Sequence, residues 1–261
     1  PIEAKQELTR KYEQKKPDGC HQHAEYAAMV ESVDQSVGKI NQTLEALGIS
    51  ENTIIIFFSD NGGHGTYTCQ QPLRGGKGMY YEGGIRVPMF AYWPGKIEAG
   101  ATTDEPVIST DFYPTFLELA GAKPPSGYPL DGKSLVPLFN GSESLNREAL
   151  YWHFPAYLES YEGLQSDSRD TIFRTRPVSV IRKGDWKLMM FHEEWVLDGG
   201  RKNLESNDAV ELYNLKNDSR EANNLAITKP GKRDELLKQL IDWQQDINAP
   251  VPTQANHAYE K

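Results

Sequence analysis

Asp60 and Asn61 are the first residues of this chain whose types and position suggest chemistry. They follow an apolar run, Thr53 to Phe58, at the point where a buried strand would end. In open α/β sheets, ligands bind outside the carboxyl ends of the strands, and carboxylate and amide oxygens suit hard cations such as Ca²⁺ or Mg²⁺. The string Asp-Asn-Gly-Gly also suits a tight turn, so a metal site and a simple turn both stay open.

A second candidate is the glycine-rich loop that follows, in which Arg74 and Lys77 lie among Gly75, Gly76 and Gly78. Glycine lets the backbone approach a ligand closely, and a lysine held there can direct its charge at a bound oxyanion. Most loops of this kind are only turns. Beside a hard-cation site, however, the loop predicts an anionic group held between a metal and a lysine, as in phosphoryl or sulfuryl transfer.

The elements that would position these loops follow from hydrophobic periodicity. An apolar stripe at helical spacing predicts a helix that ends at Gly48, and the run at 53–58, apolar on both faces, predicts a central parallel strand that covers this helix. A second strand is predicted within 87–95 and a capped helix within 109–121. The stripe consists of Tyr26, Val30, Val33, Val37, Ile40, Leu44 and Leu47.

The predicted pattern of secondary structure changes from about residue 148 onward. Two β-type runs around Lys183-Gly184-Asp185 predict a hairpin over 177–191, and an alternating run predicts a strand at 209–215. Apolar residues at helical spacing predict a helix over 232–247. This part is therefore expected to be a small α+β subdomain with an antiparallel sheet.

Composition excludes several classes of protein. The chain has 261 residues and a net charge of −9, with 28 basic and 37 acidic residues, which argues against a nucleic-acid binder. No apolar stretch approaches the roughly 18 residues of a membrane helix. Two cysteines, Cys20 and Cys69, are too few for a disulfide framework and are either paired or free.

The two candidate loops, read together as SDNGGHG (59–65) and PLRGGKGMYYEGGIRVPMFAYWPG (72–95), closely resemble the type I sulfatases of the alkaline phosphatase superfamily. Further segments agree in order along nearly the whole chain: YAAMVESVDQSVGKI (26–40), STDFYPTFLELAG (109–121), LDGKSLVPLF (130–139), YWHFPAY (151–157), VIRKGDWKLM (180–189) and ELYNLKND (211–218). The resemblance covers only the C-terminal half to two-thirds of a typical member. It implies an α/β fold, with the C-terminal part of a mixed sheet flanked by helices at 1–147 and the antiparallel-sheet subdomain, with its C-terminal helix, at 148–261.

The resemblance also implies roles for single residues. Asp60 and Asn61 match the second pair of Ca²⁺ ligands, and Lys77 matches the catalytic lysine that contacts the sulfate and the ester oxygen. Members of the family use a formylglycine, made from a C/S-x-P-x-R motif, as nucleophile. That motif, the first pair of metal-binding aspartates and a further catalytic histidine are absent, and CQQPLR (69–74) has one residue too many between its cysteine and its proline. The chain alone is therefore expected to be inactive.

Three further residues are candidates for substrate binding. Arg74 belongs to the glycine-rich loop. His64 follows the metal pair, where a loop histidine without a catalytic role is an equal alternative. By resemblance His153 borders the substrate pocket, and its alternative is a hydrogen-bonded strand histidine.

The expected activity is hydrolysis of sulfate esters on a carbohydrate, with a sulfated small molecule or saccharide as partner and no membrane or nucleic-acid partner. By resemblance, the protein is exported to a periplasmic, extracellular or lysosome-like compartment. Two alternatives stay open: a phosphate or phosphonate ester hydrolase of the same superfamily, and a non-catalytic, carbohydrate-binding relative. Retention of Asp60, Asn61 and Lys77 argues against the latter. The oligomeric state does not follow from the sequence.

Overall fold

A computed structural model describes residues 2–160, 167–170, 172–254 and 256. The chain divides into two compact units: one comprises Pro1–Glu31, Ser59–Val87 and Ala149–Lys261, the other Ser32–Phe58 and Pro88–Glu148. The division into domains at 1–147 and 148–261 stays a prediction. None of the helices in the described ranges is both long and apolar enough to span a bilayer.

The helices and strands agree in type with most of the predicted ones. The helices are α1 (Gln6–Glu13), α2 (Ala24–Ala46), α3 (Glu82–Ile85), α4 (Phe112–Leu119), α5 (Val136–Phe139) and α6 (Pro230–Asp246). The strands are β1 (Ile55–Phe58), β2 (Met89–Tyr92), β3 (Leu150–Phe154), β4 (Leu158–Glu159), β5 (Phe173–Thr175), β6 (Val178–Lys183), β7 (Trp186–Phe191) and β8 (Val210–Asn214). The mixed α/β class, with antiparallel sheets and a C-terminal helix, is confirmed.

Strand β1 is the main exception to the sequence prediction. It pairs antiparallel with β2, with Ile55 opposite Tyr92 and Phe58 opposite Met89, so the predicted parallel pairing is wrong in the described part of the chain. The reason is that the chain reverses direction between the two strands. The prediction that this strand buries the apolar stripe of the preceding helix is also wrong. Val33 and Ile40 of α2 are 49% and 53% exposed in the described structure.

The predicted helix at 109–121 begins with a short 3-10 turn at Ser109–Asp111 and continues as α4. The Asp111 side chain caps it, because its Oδ2 accepts a 2.9 Å hydrogen bond from the main-chain N–H of Ile108. Arg147 donates to the same oxygen over 2.6 Å. Asp111 therefore has a structural role at the start of this helix.

A four-stranded antiparallel sheet of order β3-β6-β7-β8 is the core of the first unit. Because side chains alternate across a strand, its two faces bury different partners. One face, which includes Ile181 and Leu188, packs against α6 through Leu236, Leu237 and Leu240. The other, with Val180, Met189 and Tyr213, packs against Met79 and Tyr81 of the glycine-rich loop. The sheet therefore supports the loop that carries Lys77.

Candidate active site

Close backbone packing between glycines brings the two candidate loops together. The main-chain N–H of Gly62 donates a 2.9 Å hydrogen bond to the carbonyl oxygen of Gly84, and that of Lys77 donates one of 2.9 Å to Gly63. A Cβ on Gly62 would lie 1.8 Å from the carbonyl oxygen of Gly83, so only glycine fits there. The segment after Asn61 is therefore a tight turn, and that turn is bonded to the loop of Lys77.

Asp60 and Asn61 lie at the start of this turn. The Asp60 side chain is exposed and that of Asn61 is half-buried, while the Ser59 hydroxyl donates a 3.2 Å hydrogen bond to the carbonyl oxygen of Asn61. A carboxylate and an amide are suitable donors for Ca²⁺, but Ca²⁺ takes about six to eight oxygens. The pair fits a Ca²⁺ site as one part of its coordination shell.

His64 lies next to the turn, and its pKa is lowered from the usual value. Burial lowers its pKa first, and the positive charges of Lys77 and Arg174 lower its pKa further. The main-chain N–H of Thr66 donates to its Nδ1 over 3.3 Å, and its ring lies 5.2 Å from that of Tyr67. The pKa of His64 is thus lowered by burial and by two cations, one of which, Arg174, the sequence analysis did not indicate.

Arg74, in contrast, is occupied by contacts within the protein. Its Nη1 donates to the hydroxyl of Tyr213 over 3.1 Å and to the carbonyl oxygen of Glu221 over 3.2 Å. Its Nε donates to the carbonyl oxygen of Asp167 over 2.9 Å, and its guanidinium stacks 3.8 Å from the ring centre of Tyr81. These contacts anchor the glycine-rich loop to the sheet and give no support to a direct substrate contact by Arg74.

The ring nitrogens of His153 also have partners within the protein. Nδ1 lies 2.7 Å from Oγ of Ser179, and Nε2 lies 2.8 Å from the carbonyl oxygen of Pro250. Its ring meets that of His192 edge-on at 5.3 Å. This arrangement is that of a hydrogen-bonded strand histidine, the alternative that the sequence left open, while a role at the pocket stays a prediction.

A buried ionic cluster, which the sequence analysis missed, fixes the far end of the loop. Nζ of Lys187 lies 3.1 Å from Oε1 of Glu82 and 2.8 Å from Oε1 of Glu221, and all three side chains are at most 1% exposed. Oε2 of Glu221 also accepts a 2.6 Å hydrogen bond from the main-chain N–H of Glu82. Burial raises the pKa of Glu221, while Lys187 opposes that shift. The available signal was a single lysine inside the apolar run of β7.

The two cysteines, whose pairing the sequence left open, form a disulfide between Cys20 and Cys69. The two sulfurs and a ring nitrogen of His21 lie within 4.8 Å of one another. Within the described ranges, this is the one cluster of three His, Cys, Asp or Glu side chains at such distances. Nδ1 of His21 lies 3.0 Å from Oγ1 of Thr68. The disulfide therefore ties the segment before α2 to the loop that follows His64.

Comparison with known protein families gives two matches. The family described as Sulfatase matches residues 1–122, and the family described as N-sulphoglucosamine sulphohydrolase, C-terminal, matches residues 75–247. A sulfatase of Formosa agariphila is 38% identical over 269 aligned positions, which cover 94% of this chain and 44% of that protein. Human steryl-sulfatase is 38% identical over 152 positions, covering 54% of this chain and 26% of that protein.

Solved structures give a consistent result. The crystal structure of Ps i-CgsB in complex with k-i-k-neocarrahexaose is 29% identical, with a TM-score of 0.74, over 94% of this chain and 48% of that one. BT4656 in complex with D-glucosamine-2-N,6-O-disulfate is 27% identical, with a TM-score of 0.63, over 89% of this chain and 42% of that one. The chain thus spans less than half the length of these relatives.

Proposed function

Because this chain belongs to the sulfatase family of the alkaline phosphatase superfamily, we propose that the protein hydrolyses sulfate esters of carbohydrates. Two similar structures are complexes with sulfated saccharides, which supports a saccharide as the substrate class. In the reaction the ester S–O bond breaks, water supplies the oxygen that stays on sulfate, and the leaving sugar oxygen gains a proton.

The observation that carries this proposal is the hydrogen bond from the main-chain N–H of Lys77 to Gly63. Through it, the oxygen donors of Asp60 and Asn61 and the cation of Lys77 belong to one backbone-bonded unit. An anionic ester between a hard-cation site and a lysine is stabilised on both sides. This backbone link supports the proposal of a site for sulfuryl transfer.

Asp60 and Asn61 are proposed to supply part of a Ca²⁺ shell. When bound, Ca²⁺ would supply Lewis-acid polarisation of the sulfate, and a formylglycine elsewhere in the protein would supply the nucleophile. Lys77 is proposed to bind the sulfate and to stabilise the negative charge that develops on the leaving oxygen. His64, with its pKa lowered by burial and by two cations, is proposed to hydrogen-bond the substrate as a neutral imidazole.

An oxidising compartment is proposed as the site of action. Disulfides persist in exported proteins and are rare where thiols are kept reduced. The Cys20–Cys69 bond supports this location.

The test measures sulfate release from a sulfated oligosaccharide by the full-length protein. The reaction is run with Ca²⁺ or with a chelator, and the released sulfate is quantified by ion chromatography. Sulfate release that is lost with the chelator and restored by Ca²⁺ is expected. Release of phosphate from a phosphate ester in preference to sulfate would overturn the proposal in favour of the phosphatase alternative. Saccharide binding without any turnover would favour a non-catalytic relative.

A further inference from the structure

Arg174 lies beside the loop of Lys77 although the two residues are distant in sequence. Arg174 is the central residue of β5, where Phe173 and Thr175 are buried and Arg174 points to the opposite, half-exposed face. Strand β5 pairs antiparallel with β4, with Thr175 opposite Leu158. A short strand pair thus carries the guanidinium to the loop.

Gly78 provides the space for this approach. A Cβ on Gly78 would lie 2.7 Å from Nε and 3.4 Å from Cδ of Arg174. Gly78 also has a φ of +84°, a conformation that glycine adopts without strain. The Arg174 side chain therefore packs on the backbone of the residue that directly follows Lys77.

The electrostatics of His64 agree with this geometry. Lys77 and Arg174 each lower its pKa, so both charges act on the same imidazole. An anionic ligand beside this imidazole would be attracted by both positive charges. The pair comes from two separate elements, which suits a ligand that carries more than one negative charge.

We propose that Arg174 binds a second sulfate group of the saccharide whose ester sulfate Lys77 holds, so that the site selects polysulfated substrates. This inference rests on the proposed function. The planar guanidinium fork is suited to paired hydrogen bonds with a sulfate, whereas the lysine ammonium acts as a point charge. A second sulfate at a fixed spacing on the sugar would fix the orientation of the ester at Lys77.

The test compares neocarrahexaoses that carry one sulfate or two per disaccharide, with binding to the full-length protein measured by calorimetry. The wild type should bind the more sulfated sugar more tightly. In Arg174→Gln, the affinity for that sugar should fall by roughly tenfold to a hundredfold, the range for a charge-assisted hydrogen bond, and by clearly more than for the other sugar. The affinity of Arg174→Lys for the more sulfated sugar should lie between those of the wild type and of Arg174→Gln. Lysine keeps the positive charge but lacks the planar guanidinium.

Arg201→Gln is the matched control, since its exposed guanidinium pairs with Asp234 over 3.4 Å at the surface. It should leave the preference between the sugars unchanged. Equal losses for both sugars in Arg174→Gln, or no binding of either by the wild type, would overturn the inference. If Arg174→Gln does not fold, Arg174→Lys decides by the same comparison. The proposed function fails separately, if the wild type binds these sugars and releases no sulfate from any sulfated saccharide.

Discussion

The main-chain N–H of Lys77 is hydrogen-bonded to the carbonyl oxygen of Gly63 over 2.9 Å. Together with the hydrogen bond from Gly62 to Gly84, this contact joins the turn that begins with Asp60 and Asn61 to the glycine-rich loop. It fixes the loop through its backbone, so the Lys77 side chain is left exposed. A substitution of that side chain should therefore change chemistry more than folding.

Lys77→Ala in the full-length enzyme should lower kcat on sugar sulfates by about 10²- to 10³-fold, the usual cost of losing one preorganised contact to a developing charge. Aryl sulfates should lose less, because a good leaving group needs less stabilisation. Steady-state kinetics on both substrates, with melting temperature as the check on folding, make the measurement. Lys123→Ala, an exposed lysine of the other unit, is the control. Near-normal kcat on both substrates would refute the role of Lys77.

Asp60→Ala should abolish Ca²⁺ binding and activity together, whereas Asn61→Ala should weaken both less. The reason is that a carboxylate brings a full charge to the cation and an amide brings only a dipole. Calorimetric titration of the metal-free full-length protein with Ca²⁺ measures this. Asp104→Ala, an exposed aspartate of the other unit, serves as the control. Unchanged Ca²⁺ affinity in Asp60→Ala would refute the metal-binding role and leave the segment after β1 as a structural turn.

Gly62→Ala should destabilise the protein by roughly 3 kcal/mol or more, because its Cβ would lie 1.8 Å from a backbone oxygen that cannot move away. Activity should fall with it, since the two loops must separate. Gly231→Ala in α6 is the matched control, because a Cβ there meets nothing within 4 Å among the described residues. Denaturant unfolding of both variants gives the comparison, and equal stabilities would contradict the packing argument.

Lys187→Met should destabilise the protein by about 3–5 kcal/mol, because it leaves the Glu82 and Glu221 carboxylates buried without their cation. The double variant Lys187→Met/Glu221→Gln should recover part of that loss, since one of the two uncompensated charges is removed. Chemical unfolding of the single and double variants makes a double-mutant cycle. Additive losses would show that the cluster is not energetically coupled.

Stability should fall as the pH drops from 6.5 toward 4, in part through His192. Burial lowers the pKa of this side chain to about 4, and Nδ1 has no hydrogen-bond partner within the described structure. The unfolded state, in which His192 titrates near 6.5, binds more protons than the folded state in this window, so acid favours unfolding by up to about 3 kcal/mol. Urea unfolding at pH 7 and pH 4 measures the free energy of unfolding at each pH. The loss of this free energy between pH 7 and pH 4 should be smaller for His192→Gln than for wild type. The same difference in both proteins would rule this out.

The sequence by itself determined the local elements and the family resemblance. Helix α6 and the β6–β7 hairpin follow from periodicity and a glycine turn, which are properties of neighbouring residues. The positions of Asp60, Asn61 and Lys77 could be selected from residue type and spacing. Their assigned roles depend on the resemblance and stay proposals.

Only the tertiary structure decided which contacts the basic side chains make. Arg74 and Arg174 look alike in the sequence, yet Arg74 is bonded to Tyr213 and Glu221, while Arg174 packs on Gly78. The antiparallel pairing of β1 with β2 and the burial of Lys187 were also decided there. Contacts between residues far apart in the chain leave no periodic signal, because they depend on how whole elements pack together.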